Sequence, residues 1–302
     1  MTDNNRAAQS LTISIVTPSF NQGRFIERTI NTVLSQGIED LEYFIADGGS
    51  SDETVDIMRR YQDRLSFVSE KDKGQANAVN KGIMATSGDI IGWLNSDDIY
   101  YPGTLVSVLD YFKEHPEADV VYGDAYHIDE NDNILEPYYT EDWDYERLKD
   151  VCFLCQPAVF FRRRLITRTG LLDESLSYCM DYEFWLRLGK IVRFGRLHRF
   201  FAGSRMYSEN KTLGSRVAVH REINDMFRKV GDVPDKWIYA YSHCMVEDKG
   251  FTRDSAARNI RFIIVLIWVV LFSFFRWKHR LPVSAMRTMT GWAIAFFKNL
   301  MK

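Results

Sequence analysis

The chain's 302 residues suffice for one large domain or one domain with an appendage, and 46% hydrophobic with 26% charged residues is ordinary for a folded soluble protein. Four cysteines (Cys152, Cys155, Cys179 and Cys244) are too few for a disulfide framework in a chain this long, and no second close Cys or His pair completes a zinc site with Cys152 and Cys155. The net charge of −3 hides an asymmetry: residues 253–302 carry nine Lys/Arg against one acid, Asp254, a net +8 that leaves −11 on the rest. A basic tail that is also strongly apolar suits an anionic membrane surface rather than nucleic acid. The first ten residues are polar, with no apolar signal-peptide core, so the expected compartment is the cytoplasm, at the inner face of the cell membrane.

Residues 11–17 read as a strand, followed by a helix with Phe25, Ile26, Ile30, Val33 and Leu34 on one face. A second strand over 41–46 ends in the turn Asp47-Gly-Gly-Ser-Ser-Asp52. A short helix over 54–61, a third strand over 65–69, a helix from near Gly74, a fourth strand over 90–94, a helix across 105–112 and a fifth strand over 120–122 complete the series. Such repeated βα units predict an α/β fold, a mostly parallel, doubly wound sheet with helices on both faces. Ligands bind such sheets outside the carboxyl ends of the strands. The polar clusters 17–21, 47–52, 70–73 and 95–98 fall at those ends, which predicts one site. Residues 124–205 read as α+β with an aromatic-rich helix around 181–188, and the pattern is helical from about 213.

In the tail, residues 262–275 are apolar except Ser273 and are bracketed by Arg261 and Arg276. Fourteen residues fall short of the roughly 20 that span a bilayer. The Trp277-Lys-His-Arg280 cluster and a second apolar segment over 292–297 suit an interfacial anchor, the segment either lying in the interface or spanning; the alternative is a helix packed in a core or on another subunit.

The chemistry centres on Asn95-Ser-Asp-Asp98. Transfer of a sugar from a nucleoside diphosphate requires stabilisation of the departing diphosphate, which Mg²⁺ or Mn²⁺ held by carboxylates supplies. One of the adjacent pair Asp97–Asp98 can hold the metal while its neighbour accepts from a ribose hydroxyl; the alternative is a turn or cap acid pair. Asp47, beside two glycines, can accept from a base N–H or a ribose, or can close its own turn. Lys73, in Glu70-Lys-Asp-Lys73, offers a cation for phosphate. In Tyr178-Cys-Met-Asp-Tyr-Glu-Phe-Trp-Leu-Arg187, Asp181 can take a proton from an attacking hydroxyl; Glu183 faces another way on the helix.

These stretches, with Ser14-Ile-Val-Thr-Pro-Ser-Phe-Asn21, Asp72-Lys-Gly-Gln-Ala-Asn77 and Gly92-Trp-Leu-Asn-Ser-Asp-Asp98, resemble the family 2 glycosyltransferases. Tyr122-Gly-Asp124 and Cys155-Gln-Pro157 resemble the branch that builds bacterial surface polysaccharides. The resemblance implies a GT-A fold in a catalytic domain over 11–212, with 213–302 a helical extension whose membrane-associating part is about 260–300. It implies a nucleotide-sugar donor, a UDP-sugar favoured, contacted by Thr17, Pro18, Asp47, Lys73 and Asp97. It also implies Asp98 at a divalent metal, Asp181 as the base of an inverting displacement, and a glycan or lipid-linked acceptor. Two positions depart from the pattern: Asn95 stands where an acid is common, and Arg205-Met-Tyr-Ser-Glu-Asn-Lys-Thr212 has Tyr207 where relatives often have His. The alternative activities are a sugar-nucleotide nucleotidyltransferase, whose basic Gly-rich loop Pro18-Ser-Phe-Asn-Gln-Gly23 does not supply, and an inactive partner of the same fold.

Overall fold

A computed structural model describes residues 11–207 and 213–300. It divides into two compact units, Met1–Tyr207 and Ser208–Lys302.

The first unit is built on a nine-stranded sheet. Strands β1 (Ile13–Ser19), β2 (Leu41–Asp47), β3 (Ser66–Ser69) and β4 (Ile90–Trp93) run parallel in the order β3-β2-β1-β4. Between them lie the helices α1 (Ile26–Leu34), α2 (Thr54–Arg59) and α3 (Gln75–Ala85). β1 and β4 are buried along their whole length, which is why their sequences read as continuous apolar runs rather than alternating ones. α1 turns Ile26, Ile30 and Val33 into the core, together with one polar residue, Thr29, whose partners are in the site below.

Beyond β4 the sheet departs from the expected parallel continuation. The next elements are β5 (Ile99–Tyr100), α4 (Thr104–Glu114), β6 (Val120–Ile128), β7 (Ile134–Pro137), α5 (Tyr145–Asp150), β8 (Val159–Arg162), α6 (Arg164–Thr169), α7 (Met180–Gly189) and β9 (Phe194–Arg205). β8 enters between β4 and β6 and is antiparallel to both. The fifth strand of the sequence series, β6, is nine residues long rather than three, because β9 pairs with it in parallel from Val120 to Ile128, with register shifts on both sides of Asp124. β5 and β7 add antiparallel pairs to β9 and β6. The parallel half ends in the four polar strand ends; the mixed half carries β9 along to Arg205.

The second unit contains α8 (Arg216–Val230), α9 (Asp235–Asp248), α10 (Ala256–Lys278) and α11 (Val283–Leu300). α10 is long and apolar enough to cross a membrane by length and composition. It is not uniform around its axis, however. Phe262, Leu266, Val270 and Phe274 are buried, and Ser273, the one polar residue of the run, is buried too and accepts from the Ser242 hydroxyl on α9 at 3.3 Å. Two residues of the expected interfacial anchor point inward instead. Trp277 is 3% exposed and its indole N–H donates to Asp225 on α8 at 2.7 Å. Lys278 donates to Asp235 at 2.6 Å and pairs with Asp232 at 3.4 Å. An aromatic and a basic residue flanking an apolar run predict an anchor, but here their partners are acids of the same unit.

Candidate active site

Strand register assembles the first wall. Ser19 of β1 pairs with Asp47 of β2, and Asp47 with Ser69 of β3, so three polar strand ends share one edge. Asp47 is 2% exposed and its carboxylate is engaged within the protein. It accepts from the Ser50 hydroxyl (2.5 Å), the Ser50 and Gly49 N–H groups (2.8 and 3.1 Å) and the Ser69 hydroxyl (2.6 Å). Gly49 sits at φ +83°, a left-handed conformation that a Cβ would strain. Asp47 therefore shapes the turn. Thr17 has no exposed surface, and its hydroxyl pairs with the Tyr43 phenol at 3.2 Å across the two strands. Pro18 is buried beside it. What the end of β1 does present is Phe20, 60% exposed and packed against Gly48, an aromatic face that the sequence reading passed over. Lys73 is exposed just beyond β3, its ammonium near the Glu174 carboxylate.

The second wall is the acidic turn after β4. Asn95 has all four amide valences filled. Its oxygen accepts from Gln75 (2.8 Å) and the Trp93 indole (2.9 Å), and its NH₂ donates to Asp98 (3.1 Å) and Gln156 (2.9 Å). The departure at this position thus has a physical reason: a carboxylate here could donate to neither Asp98 nor Gln156. The buried Thr29 hydroxyl lies within hydrogen-bond distance of the Ser96 and Asp98 carbonyls (2.9 and 2.7 Å), fastening the turn to α1.

The two acids of the pair differ. Asp98 is 3% exposed, and each of its oxygens holds a protein donor, Asn95 on one and the Arg205 N–H (2.9 Å) on the other. Asp97 is half-buried; one oxygen accepts from the Tyr207 hydroxyl at 2.8 Å. Burial raises both carboxyls, and the charge of Asp97 raises Asp98 further, to about 8. Within the pair, Asp98 is the enclosed member and Asp97 the more exposed one.

Arg205, at the end of β9, holds this arrangement from beneath. Its guanidinium has no exposed surface, lies 4.8 Å over the Phe25 ring, and donates to the Asp97 carbonyl (2.7 Å), the Asp129 carbonyl (2.6 Å) and the Asp132 carboxylate. Tyr207 packs on the same Phe25, ring centroids 5.0 Å apart, and bonds Gln22. The remainder of that motif, residues 208–212, lies outside the described residues.

Asp181 stands in the first turn of α7, half-buried. Glu183 is bound bidentately by Arg187 (2.7 and 3.0 Å), on another side of the helix. Burial pushes the Cys155 thiol up, and the carboxylates of Asp98 and Asp181 push it further. Cys155 and Cys152 are free thiols, raised by burial, as befits packing rather than chemistry.

No group of three or more His, Cys, Asp or Glu suited to a metal ion occurs among the described residues. Mg²⁺ and Mn²⁺ sites that use substrate phosphates need only one or two protein carboxylates. The Asp97–Asp98 turn supplies that number, and two adjacent like charges with raised affinity for protons form a field that a cation relieves. The residues present fit such a cation.

Residues 14–172 match the profile of glycosyl transferase family 2. Chondroitin synthase of Escherichia coli is 28% identical over 229 residues, covering 72% of this chain but only 33% of that protein. Among solved structures, S. aureus TarS 1–349 in complex with UDP-GlcNAc aligns with a TM-score of 0.59 at 16% identity, over 86% of this chain and 82% of that one. The mannosyltransferase PcManGT of Pyrobaculum calidifontis, in complex with GDP-Man and Mn²⁺, aligns with a TM-score of 0.56 at 16% identity, over 97% and 82%. At these identities the structures speak for the shared GT-A fold alone.

Proposed function

The chain belongs to glycosyl transferase family 2, and from that premise we propose that it transfers a sugar from a nucleoside-diphosphate donor to an acceptor hydroxyl with inversion, 11–212 being the catalytic domain and 213–302 an extension. The observation that carries this reading is the acidic turn Asn95–Asp98 directly after β4, fastened by Asn95, Thr29 and Arg205 beside the other polar strand ends of the parallel sheet. The acceptor oxygen attacks the anomeric carbon and forms the new bond as the bond from that carbon to the diphosphate oxygen breaks. The hydroxyl proton passes to the Asp181 carboxylate, and the nucleoside diphosphate leaves.

Asp97, with Asp98 behind it, would hold a divalent cation; when bound, Mg²⁺ or Mn²⁺ stabilises the charge on the departing diphosphate. Asn95, Thr29 and Arg205 keep the turn in place. Phe20 offers a stacking face for the nucleobase, and Lys73 a charge for the diphosphate. PcManGT in its complex with GDP-Man and Mn²⁺, and TarS in its complex with UDP-GlcNAc, support a nucleotide-sugar donor and a cation here. A UDP-sugar is the favoured donor. The apolar, basic helix α10 supports a membrane-linked glycan as acceptor, in surface-polysaccharide synthesis at the inner face of the membrane.

The test is incubation of the full chain with a panel of sugar nucleotides, Mn²⁺ and a bacterial lipid extract. Release of nucleoside diphosphate with one donor, abolished in Asp97→Asn and Asp181→Asn, is the expected result; no release with any donor would refute the reading.

A further inference from the structure

The membrane association proposed above leaves open how the helical unit meets a bilayer. α10 presents two faces. Along one, Phe262, Leu266, Val270, Phe274 and Trp277 are buried. Along the other, Ile264 (52% exposed), Trp268 (70%), Phe272 (70%) and Phe275 (56%) recur at helical spacing, an outward stripe with no polar residue in it. Exposed arginines stand at both ends of this stripe, Arg258 and Arg261 before it and Arg276 and Arg280 after it. Beside the stripe, α9 and α10 enclose an apolar cleft of about 440 Å³ walled by Tyr241, Met245, Val265 and Val269.

We infer that this unit lies in the interface of an anionic membrane, the stripe Ile264, Trp268, Phe272 and Phe275 inserted among the acyl chains, and that α10 does not span. This rests on the membrane association proposed above and sharpens it. Spanning would require α10 to face lipid on every side or to pack on helices that can themselves enter hydrocarbon. The buried face instead meets α8 and α9. Trp277 is tied to Asp225 of α8, and Lys278 to Asp232 and Asp235 at the start of α9. α8 also carries exposed Arg221, Arg228 and Lys229, which a spanning α10 would draw toward the membrane core. A helix with one apolar face outward, basic residues at its ends and a charged support beneath is the arrangement of a monotopic anchor. The charge asymmetry chooses the surface: a tail of net +8 is drawn to anionic lipid headgroups. A second copy of the chain, itself net +8 in this segment, is repelled there.

The test is flotation of the full chain with phosphatidylcholine vesicles and with vesicles containing phosphatidylglycerol, followed by alkaline carbonate extraction. The expected result is binding to the anionic vesicles and release by carbonate. Trp268→Glu/Phe272→Glu should weaken binding at least tenfold while donor turnover stays unchanged. Arg261→Gln/Arg276→Gln, which leaves the apolar stripe intact, should weaken binding to anionic vesicles by roughly fivefold per residue. Retention through carbonate would show a spanning helix and overturn this inference while leaving membrane association standing. No binding to either vesicle would overturn both. A wild-type dimer that Trp268→Glu/Phe272→Glu converts to monomer, with flotation unchanged, would assign the stripe to a second copy and overturn the inference.

Discussion

The Tyr207 hydroxyl donates to the Asp97 carboxylate at 2.8 Å, across 110 positions of sequence. Tyr207 stands where relatives often carry His, and its phenol, which burial and the Asp97 charge hold far from ionisation, acts here as a donor rather than a ligand. It orients the acid proposed above to hold the cation. Removing a hydrogen bond to a charged group costs about 1.5–3 kcal/mol. Tyr207→Phe should therefore raise the Mn²⁺ concentration for half-maximal turnover by roughly tenfold or more, with a smaller change in kcat at saturating Mn²⁺. An unchanged Mn²⁺ dependence would remove Tyr207 from the site.

Asn95 is the hub of the acidic turn. Asn95→Asp would restore the acid common in relatives yet replace two donors, to Asp98 and Gln156, by a third negative charge. Breaking such a buried network costs about 2–4 kcal/mol. Urea unfolding should show a loss of that order, with activity lost as well. Wild-type stability and activity in Asn95→Asp would contradict the donor role.

The raised Asp98 carboxyl makes a pH prediction. Its value unfolded is about 3.9, and burial followed by the Asp97 charge brings it to about 8 in the fold. Between these values the folded chain keeps a proton that the unfolded chain has released, so this group lowers stability as pH rises through the window. Cation-free protein should lose stability from pH 5 to pH 8 relative to Asp98→Asn, and added Mn²⁺ should raise Tm more at pH 8 than at pH 6. Parallel stability profiles for wild type and Asp98→Asn would refute this.

The parallel half of the sheet was legible because its apolar runs and its polar strand ends are local in sequence: 11–17, 41–46 and 90–94 became β1, β2 and β4 within a few residues. The insertion of β8 between β4 and β6 was not, since antiparallel entry leaves no local mark on Val159–Arg162. Within the site, residue types found the acids but not their orientation. Thr17 and Asp47 share motifs with exposed Phe20 and Gly49, and only the folded structure shows that the first two are buried. Arg205 was visible only as part of a motif, because its partners Asp97, Asp129 and Asp132 lie 73–108 positions away. The inward turn of Trp277 and Lys278 likewise depended on acids of α8 and α9.

The most direct test of the central claim, that Asp181 takes the acceptor proton, is the transfer rate of Asp181→Asn beside its donor affinity. An amide of the same size cannot accept that proton. The account predicts donor and Mn²⁺ binding within about twofold of wild type and a fall in transfer of roughly 10²–10⁴-fold. Transfer at the wild-type rate by Asp181→Asn would contradict it.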